Sequence, residues 1–136
     1  MTASAGKRRR ERDAIRRAAF EALYAEELGG ALEIEGREAS LLAHAVRLNL
    51  NEIDAKISEK LRPGFAVNRL NRPDRVLLRL GMAELLFEKS PSSVLAGYTD
   101  LAAEFGDEKS PGFVNGLLAA VAQEPSVADD PSAESS

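Results

Sequence analysis

The sequence predicts an all-α protein, a compact helical bundle of about six or seven helices in two subdomains. Three observations carry that prediction. Apolar residues recur at steps of three, four and seven through most of the chain, and no convincing strand pattern interrupts them. Gly and Pro punctuate those stretches at Gly29-Gly30, Pro63-Gly64, Pro91, Gly106 and Pro111. Apolar residues make up 44% of the 136 residues but aromatics only 5%, with no Trp, so a core exists and must be built mostly from Leu, Val, Ile and Ala. A chain of this length is one ordinary domain.

The elements follow in order. Met1–Gly6 is small and polar with nothing to bury, so residues 1–7 are expected to be a disordered N-terminus. Arg8 to Leu28 lacks Pro and Gly and is rich in Ala, Arg, Glu and Leu, which makes a helix that Gly29-Gly30 ends. After a short connection, Arg37 to Leu61 reads as a second long helix carrying Leu42, Val46, Ile53 and Ile57 at steps of four or seven. Pro63-Gly64 stops it and divides an N-terminal part, 8–62, from a C-terminal cluster, 65–123. Phe65–Leu70 reads as a helical turn. Asn71 and Asp74 around Pro73 then signal a helix start. Val76 to Phe87 is apolar nearly all round, and such a helix belongs at the centre of a bundle. Ser90-Pro91-Ser92 opens another helix, which closes at Gly106. Ser110 followed by Pro111 is expected to cap and open the last, whose buried face is Phe113, Val114, Leu117, Leu118 and Val121. Beyond Gln123 the composition turns to Pro, Ser, Ala, Asp and Glu, so 124–136 is expected to be a disordered acidic tail.

Composition excludes several function classes. There is no Cys and only one His, His44, which removes a disulfide scaffold, a thiolate or multi-histidine metal site and a cysteine nucleophile. No run approaches the roughly 18 apolar residues of a membrane span, and no signal-type apolar run follows the basic N-terminus. The expectation is a soluble, cytoplasmic protein. Its net charge of −4 is unevenly spread. Residues 1–17 hold seven Lys or Arg against two acids, while residues 18–123 hold 11 basic and 16 acidic side chains. A compact cationic segment on an acidic body is the footprint of an anion-binding arm.

Within that arm Arg9, Arg12 and Arg16 share a helical face, which continues into Ala19, Phe20 and Leu23. Unpaired guanidiniums are costly to bury, so the first turns are expected to project past the bundle, with Arg16 near its edge. A helix stabilised locally prefers acids in its first turn and bases in its last. Here the polarity is reversed, which favours an external anion. Glu84, alone in the most apolar helix, is either a general acid or a structural carboxylate paired with an arginine such as Arg69 or Arg79; the second is preferred. Glu52 and Asp54 with Lys56 read as a solvated face, and His44 as a packed or surface histidine. No Gly-rich phosphate loop, serine elbow or metal motif is present, so an enzyme is not expected, nor a cofactor or metal.

Three blocks carry a family resemblance: "RRRERDAIRRAAFEALYAEE" from Arg8, "RLNRPDRVLLRLGMAELLF" from Arg69 and "FGDEKSPGFVNGLL" from Phe105. In order and spacing, over about residues 8–122, they resemble the NusB family of bacterial transcription antitermination factors. Two departures stand out. "LAGYTDLA", 95–102, stands one residue shorter where the family usually has "INEA" before "ELA", and Asp13 and Ala14 occupy positions where the family often has basic residues.

The resemblance implies a heterodimer with NusE, a small-subunit ribosomal protein. The pair would bind single-stranded boxA-like RNA of nascent ribosomal transcripts and act with NusA, NusG and RNA polymerase. It assigns Arg8, Arg9, Arg10, Arg12 and Arg16 to phosphates, Lys109 and Phe113 to the same RNA groove with Phe113 offering a ring for stacking, and Asp74, Arg75 and Leu78 to the partner surface. Core packing remains an equal reading for Phe113 and the better one for Tyr24. Two alternatives stay open: a protein-interaction module or homodimer whose arm docks on an acidic surface, and an RNA-modification enzyme, since NusB-like domains also occur fused to methyltransferases.

Overall fold

The computed structural model describes residues 2–87 and 89–124, with side chains from Gly6 onward. Six helices are present: α1 (Thr2–Glu27), α2 (Arg37–Leu48), α3 (Leu50–Lys60), α4 (Arg72–Leu86), α5 (Pro91–Phe105) and α6 (Ser110–Ala122), with a 3₁₀ turn at Val67–Arg69. No strand occurs among the described residues.

The first helix begins at Thr2, not at Arg8 as the sequence suggested. Once its body is formed, each further residue adds a hydrogen bond at the small cost of propagation, so the helix continues through Gly6 despite that residue's cost of about 1 kcal/mol relative to Ala. Its end is the expected one. Gly29, at φ 98°, turns the chain, Gly30 N–H donates to the Ala25 carbonyl at 2.9 Å and Gly29 N–H to that of Glu26 at 3.0 Å. This pair of bonds satisfies two carbonyls that the helix end would otherwise leave open.

The single long helix expected over Arg37–Leu61 is instead two, α2 and α3, broken at Asn49 (φ −115°, ψ 22°). The Asn49 amide donates to the Ala45 carbonyl at 2.8 Å, a side-chain bond that competes with helix continuation. The break lets Ala39, Ala43 and Val46 of α2 and Ile53 and Ile57 of α3 all face one core.

Helix α4 packs against all five other helices, which is why it is apolar nearly all round. Val76, Leu77, Leu78, Leu80, Met82 and Ala83 are all buried. Phe87 is the exception and lies 53% exposed. The antiparallel α5 and α6 cover one side of α4, α1 and α2 another, and α3 closes the gap beside α6. The cap of α6 also differs from expectation. Asp107 performs it: its Oδ1 accepts from the Lys109 and Ser110 N–H groups at 2.8 and 3.1 Å. Ser110 is buried and its hydroxyl accepts from Asp107 N–H. Glu124, assigned from sequence to the tail, is held by Lys60 at 2.5 Å and Lys56 at 3.4 Å. The rest of the expected tail, 125–136, lies outside the described residues.

Candidate nucleic-acid interface

The exposed cations of α1 are Lys7, Arg8, Arg9, Arg10 and Arg12. Of these, Arg9 alone forms an ion pair among the described residues, with Asp13 at 3.2 Å. Four cations on two helical turns therefore stand unneutralised, and their repulsion is relieved by any polyanion laid along them.

Arg16 is not one of them, and its assignment to phosphate is corrected. It is 1% exposed. Its Nε and Nη2 donate to Glu84 at 2.8 and 3.0 Å, Nη1 donates to Asp13 at 3.0 Å, and Nη2 also reaches Ser93 at 3.2 Å. Tyr98 lies with its ring 5.7 Å from the guanidinium and donates its hydroxyl to Glu84 at 2.5 Å. The helical register explains the burial: Arg16 stands three and four residues before Ala19 and Phe20 on the inward stripe. Burial lowers the pKa of Arg16, but the bonds and charge of Glu84 outweigh it, so the guanidinium titrates above its ordinary value. Burial and the Glu84 charge push Tyr98 well above its ordinary range, leaving its hydroxyl a permanent donor. Glu84 is thus a structural carboxylate, as preferred, but its partner is Arg16 and not Arg69 or Arg79. Arg79 instead pairs with Asp54 through two 2.9 Å bonds and reaches Glu27 at 3.2 Å, so Asp54 is not on a solvated face.

Helix α5 approaches this cluster at Gly97. A Cβ there would lie 2.9 Å from both Arg16 Nη1 and Asp13 Oδ1, atoms pinned by their own bonds. Gly97→Ala is expected to lower stability by about 1–3 kcal/mol in urea unfolding, the usual cost of overpacking a fixed site.

The partner-surface residues separate. Leu78 is fully buried in the core, because α4 is covered on every side, and presents nothing to a partner. Arg75 is also committed: it bonds Glu27 at 3.0 and 2.7 Å and the Leu70 carbonyl at 2.7 Å, fastening the end of α1 to the start of α4. Asp74 is different. It is 6% exposed, and its Oδ1 has no hydrogen-bond partner among the described residues. Burial raises its pKa above the ordinary carboxylate value, partly offset by the Ser110 hydroxyl and reinforced by Asp107.

Lys109 is exposed in the Asp107 turn, and Phe113 is half-buried against the core. Asn71 donates to Asp107 at 3.2 Å, so this turn sits beside the start of α4 and Asp74. The arm lies at the other end. Arg16 meets Glu84, ten residues from Asp74, a distance of about 15 Å along an α-helix. The structure therefore groups Asp74, Lys109 and Phe113 but sets the arm apart from them, a separation that only an extended ligand spans.

Two grooves beside the arm were not legible from sequence. One of about 470 Å³ between α1 and α5 is lined by Arg10, Asp13, Arg17, Asp100 and Glu104, with Arg17 bound to Glu104. The other, of about 460 Å³, has Arg12 and Lys89 at its rim and Ile15, Leu41, Leu42 and Phe87 on its walls. The exposed Phe87 was read as core, so its wall gave no earlier signal.

The sequence model of the NusB family matches residues 9–123. The chain belongs to the NusB family. The transcription antitermination protein NusB of Macrococcus caseolyticus is 39% identical over 84 residues, 61% of this chain; the match spans only 64% of that protein. Among solved structures, T. maritima NusB superposes with a TM-score of 0.75 at 32% identity, covering 83% of this chain and 91% of that one. A NusB in a crystal structure of antitermination factors NusB and NusE in complex with double-stranded RNA gives 0.72 at 32% identity, covering 84% and 97%. The all-helical fold expected from sequence is thus the fold of this NusB-family chain. Among the described residues no helix is long and apolar enough to cross a membrane, and no acidic or histidine cluster is placed to hold a metal ion.

Proposed function

We propose that this NusB-family chain is a transcription antitermination factor that binds boxA-type RNA of nascent ribosomal transcripts together with NusE. It would act in the cytoplasm, by binding and not by catalysis, in a complex with NusA, NusG and RNA polymerase. The observation that carries the reading is the unneutralised row Lys7, Arg8, Arg10 and Arg12 on a fold shared with a NusB bound to NusE and RNA. The arm supplies affinity through phosphates, and Lys109 with the open edge of Phe113 supplies a contact about three helical turns away.

Fluorescence anisotropy of a short boxA-type RNA, with and without NusE and against a scrambled RNA, tests this. Selective binding that tightens with NusE is expected. Equal weak binding of both RNAs, indifferent to NusE, refutes it. A second reading is favoured by the exposed Leu41 (60%) and Phe87 (53%) beside Arg12: a second copy covering the arm. Sedimentation across a concentration series separates the two, since a dimer that competes with RNA dissociates on RNA addition.

The unpaired Asp74 Oδ1 is closed off from the surface, so a donor from NusE would satisfy it only with a local opening of the start of α4 on binding. The raised pKa of Asp74 means that the folded state binds the proton more tightly than the unfolded chain, so the charged form costs stability at neutral pH. That cost fades as pH falls through the folded-state pKa. Asp74→Asn is therefore expected to raise the neutral-pH Tm, with the gain shrinking toward pH 4, while weakening NusE binding in calorimetry. Unchanged NusE affinity removes Asp74 from the interface.

A further inference from the structure

We infer that Asp13 sets the strength of the arm, acting as a fixed internal anion that occupies Arg9 and keeps it out of phosphate binding. This rests on the RNA reading above and assigns within it a residue that tunes affinity without touching the ligand.

The carboxylate is held at both oxygens. Oδ2 accepts from Arg9 Nε at 3.2 Å and Oδ1 from Arg16 Nη1 at 3.0 Å. An exposed pair four residues apart on a helix ordinarily opens and closes freely and contributes little. This one differs because its second anchor does not move. The Arg16 side chain is 2% exposed and clamped by Glu84, whereas Arg9 and Asp13 are 43% and 36% exposed. Asp13 cannot swing toward α5 either, since the Gly97 backbone closes that side, leaving less than the room for a methyl group. The carboxylate therefore keeps its place when Arg9 leaves it.

A phosphate that took Arg9 would sit a few ångströms from this carboxylate and be repelled by it. Binding at Arg9 then requires breaking one charge-assisted bond to make another, with a like charge left beside the product. The neighbouring Arg8, Arg10 and Arg12 carry no such competitor among the described residues. The arm thus presents fewer working cations than its sequence counts, by design of one acidic residue whose position the buried Arg16 fixes.

The test uses the full chain with NusE and a boxA-type RNA, read as affinity across salt concentrations. Asn at position 13 keeps an oxygen for Arg16 and removes the charge. Asp13→Asn is expected to bind about three- to tenfold tighter at low salt, with a slope of log K against log salt steeper by about 0.7, one single-strand phosphate contact. Asp13→Glu, which keeps the charge, is expected not to tighten binding. Arg9→Gln is expected to cost less than about twofold in the wild type and about three- to tenfold in the Asp13→Asn background. A merely structural Asp13 would leave the salt slope and this non-additivity unmoved. Selective wild-type binding with no gain in Asp13→Asn, or an equal Arg9→Gln effect in both backgrounds, overturns the inference alone. If Asp13→Asn does not fold, a loss well above twofold for Arg9→Gln alone overturns it and a smaller one upholds it. No selective binding by the wild type overturns both this and the RNA reading.

Discussion

Replacing Arg8, Arg10 and Arg12 together by Ala is expected to weaken boxA-type RNA binding by roughly 100-fold at low salt and to flatten its salt dependence by about 0.7 per lost contact. The same triple variant should melt within a degree or two of the wild type. All three side chains are exposed, and none is paired with an acid of the described fold, so removing them opens no cavity and strands no partner. Anisotropy at three or more salt concentrations gives the slope, and a thermal melt gives the control. An unchanged slope removes the arm from the RNA site, whatever the change in affinity at one salt.

Arg16→Ala is expected to do the opposite. It leaves Glu84 buried and charged without its guanidinium, and breaking a buried pair in this way costs about 3–5 kcal/mol. For a domain of this size that is a fall in Tm of roughly 12–20 °C. A triple replacement, Arg16→Met with Glu84→Leu and Tyr98→Phe, removes the charges and the donor together and should recover much of the loss. If Arg16→Ala instead melts normally but fails to bind RNA, its placement in the core is wrong. Calorimetry and anisotropy on the same preparation separate these outcomes.

The contrast between these arginines shows what the sequence could and could not disclose. Spacing alone placed Arg9, Arg12 and Arg16 on one face and found that the face continues into Ala19, Phe20 and Leu23. It could not locate the plane at which that face passes from water into the core, because the plane is set by where α4 ends and α5 begins, which no local pattern encodes. Glu84 was read correctly as a structural carboxylate. Its partner lies 68 residues away, and pairing across that distance follows from topology and not from period. Boundary errors had a different source: Asn49 and Asp107 act through side chains that bond nearby backbone, and such bonds compete on nearly equal terms with the helix they interrupt or begin. The all-helical class rests on apolar periodicity and the central position of the helix after Val76 on its being apolar nearly all round, and both were readable directly, the exposed Phe87 excepted. Asp74 was legible as a candidate; its orphaned oxygen was not.

The contact of α4 with all five other helices has a bearing on how the molecule comes apart. A bundle in which every helix leans on one shared post has no smaller stable subassembly: pull away α4 and the remaining helices lose their common wall, while α4 alone would expose Val76, Leu77, Leu78, Leu80 and Met82 to water. Opening should therefore be nearly all-or-none once it reaches this helix, with the amides of α4 the last to exchange with solvent. The cationic arm lies beyond the post and takes no part in that cooperation, so it is free to rearrange on a ligand without loosening the fold that carries it.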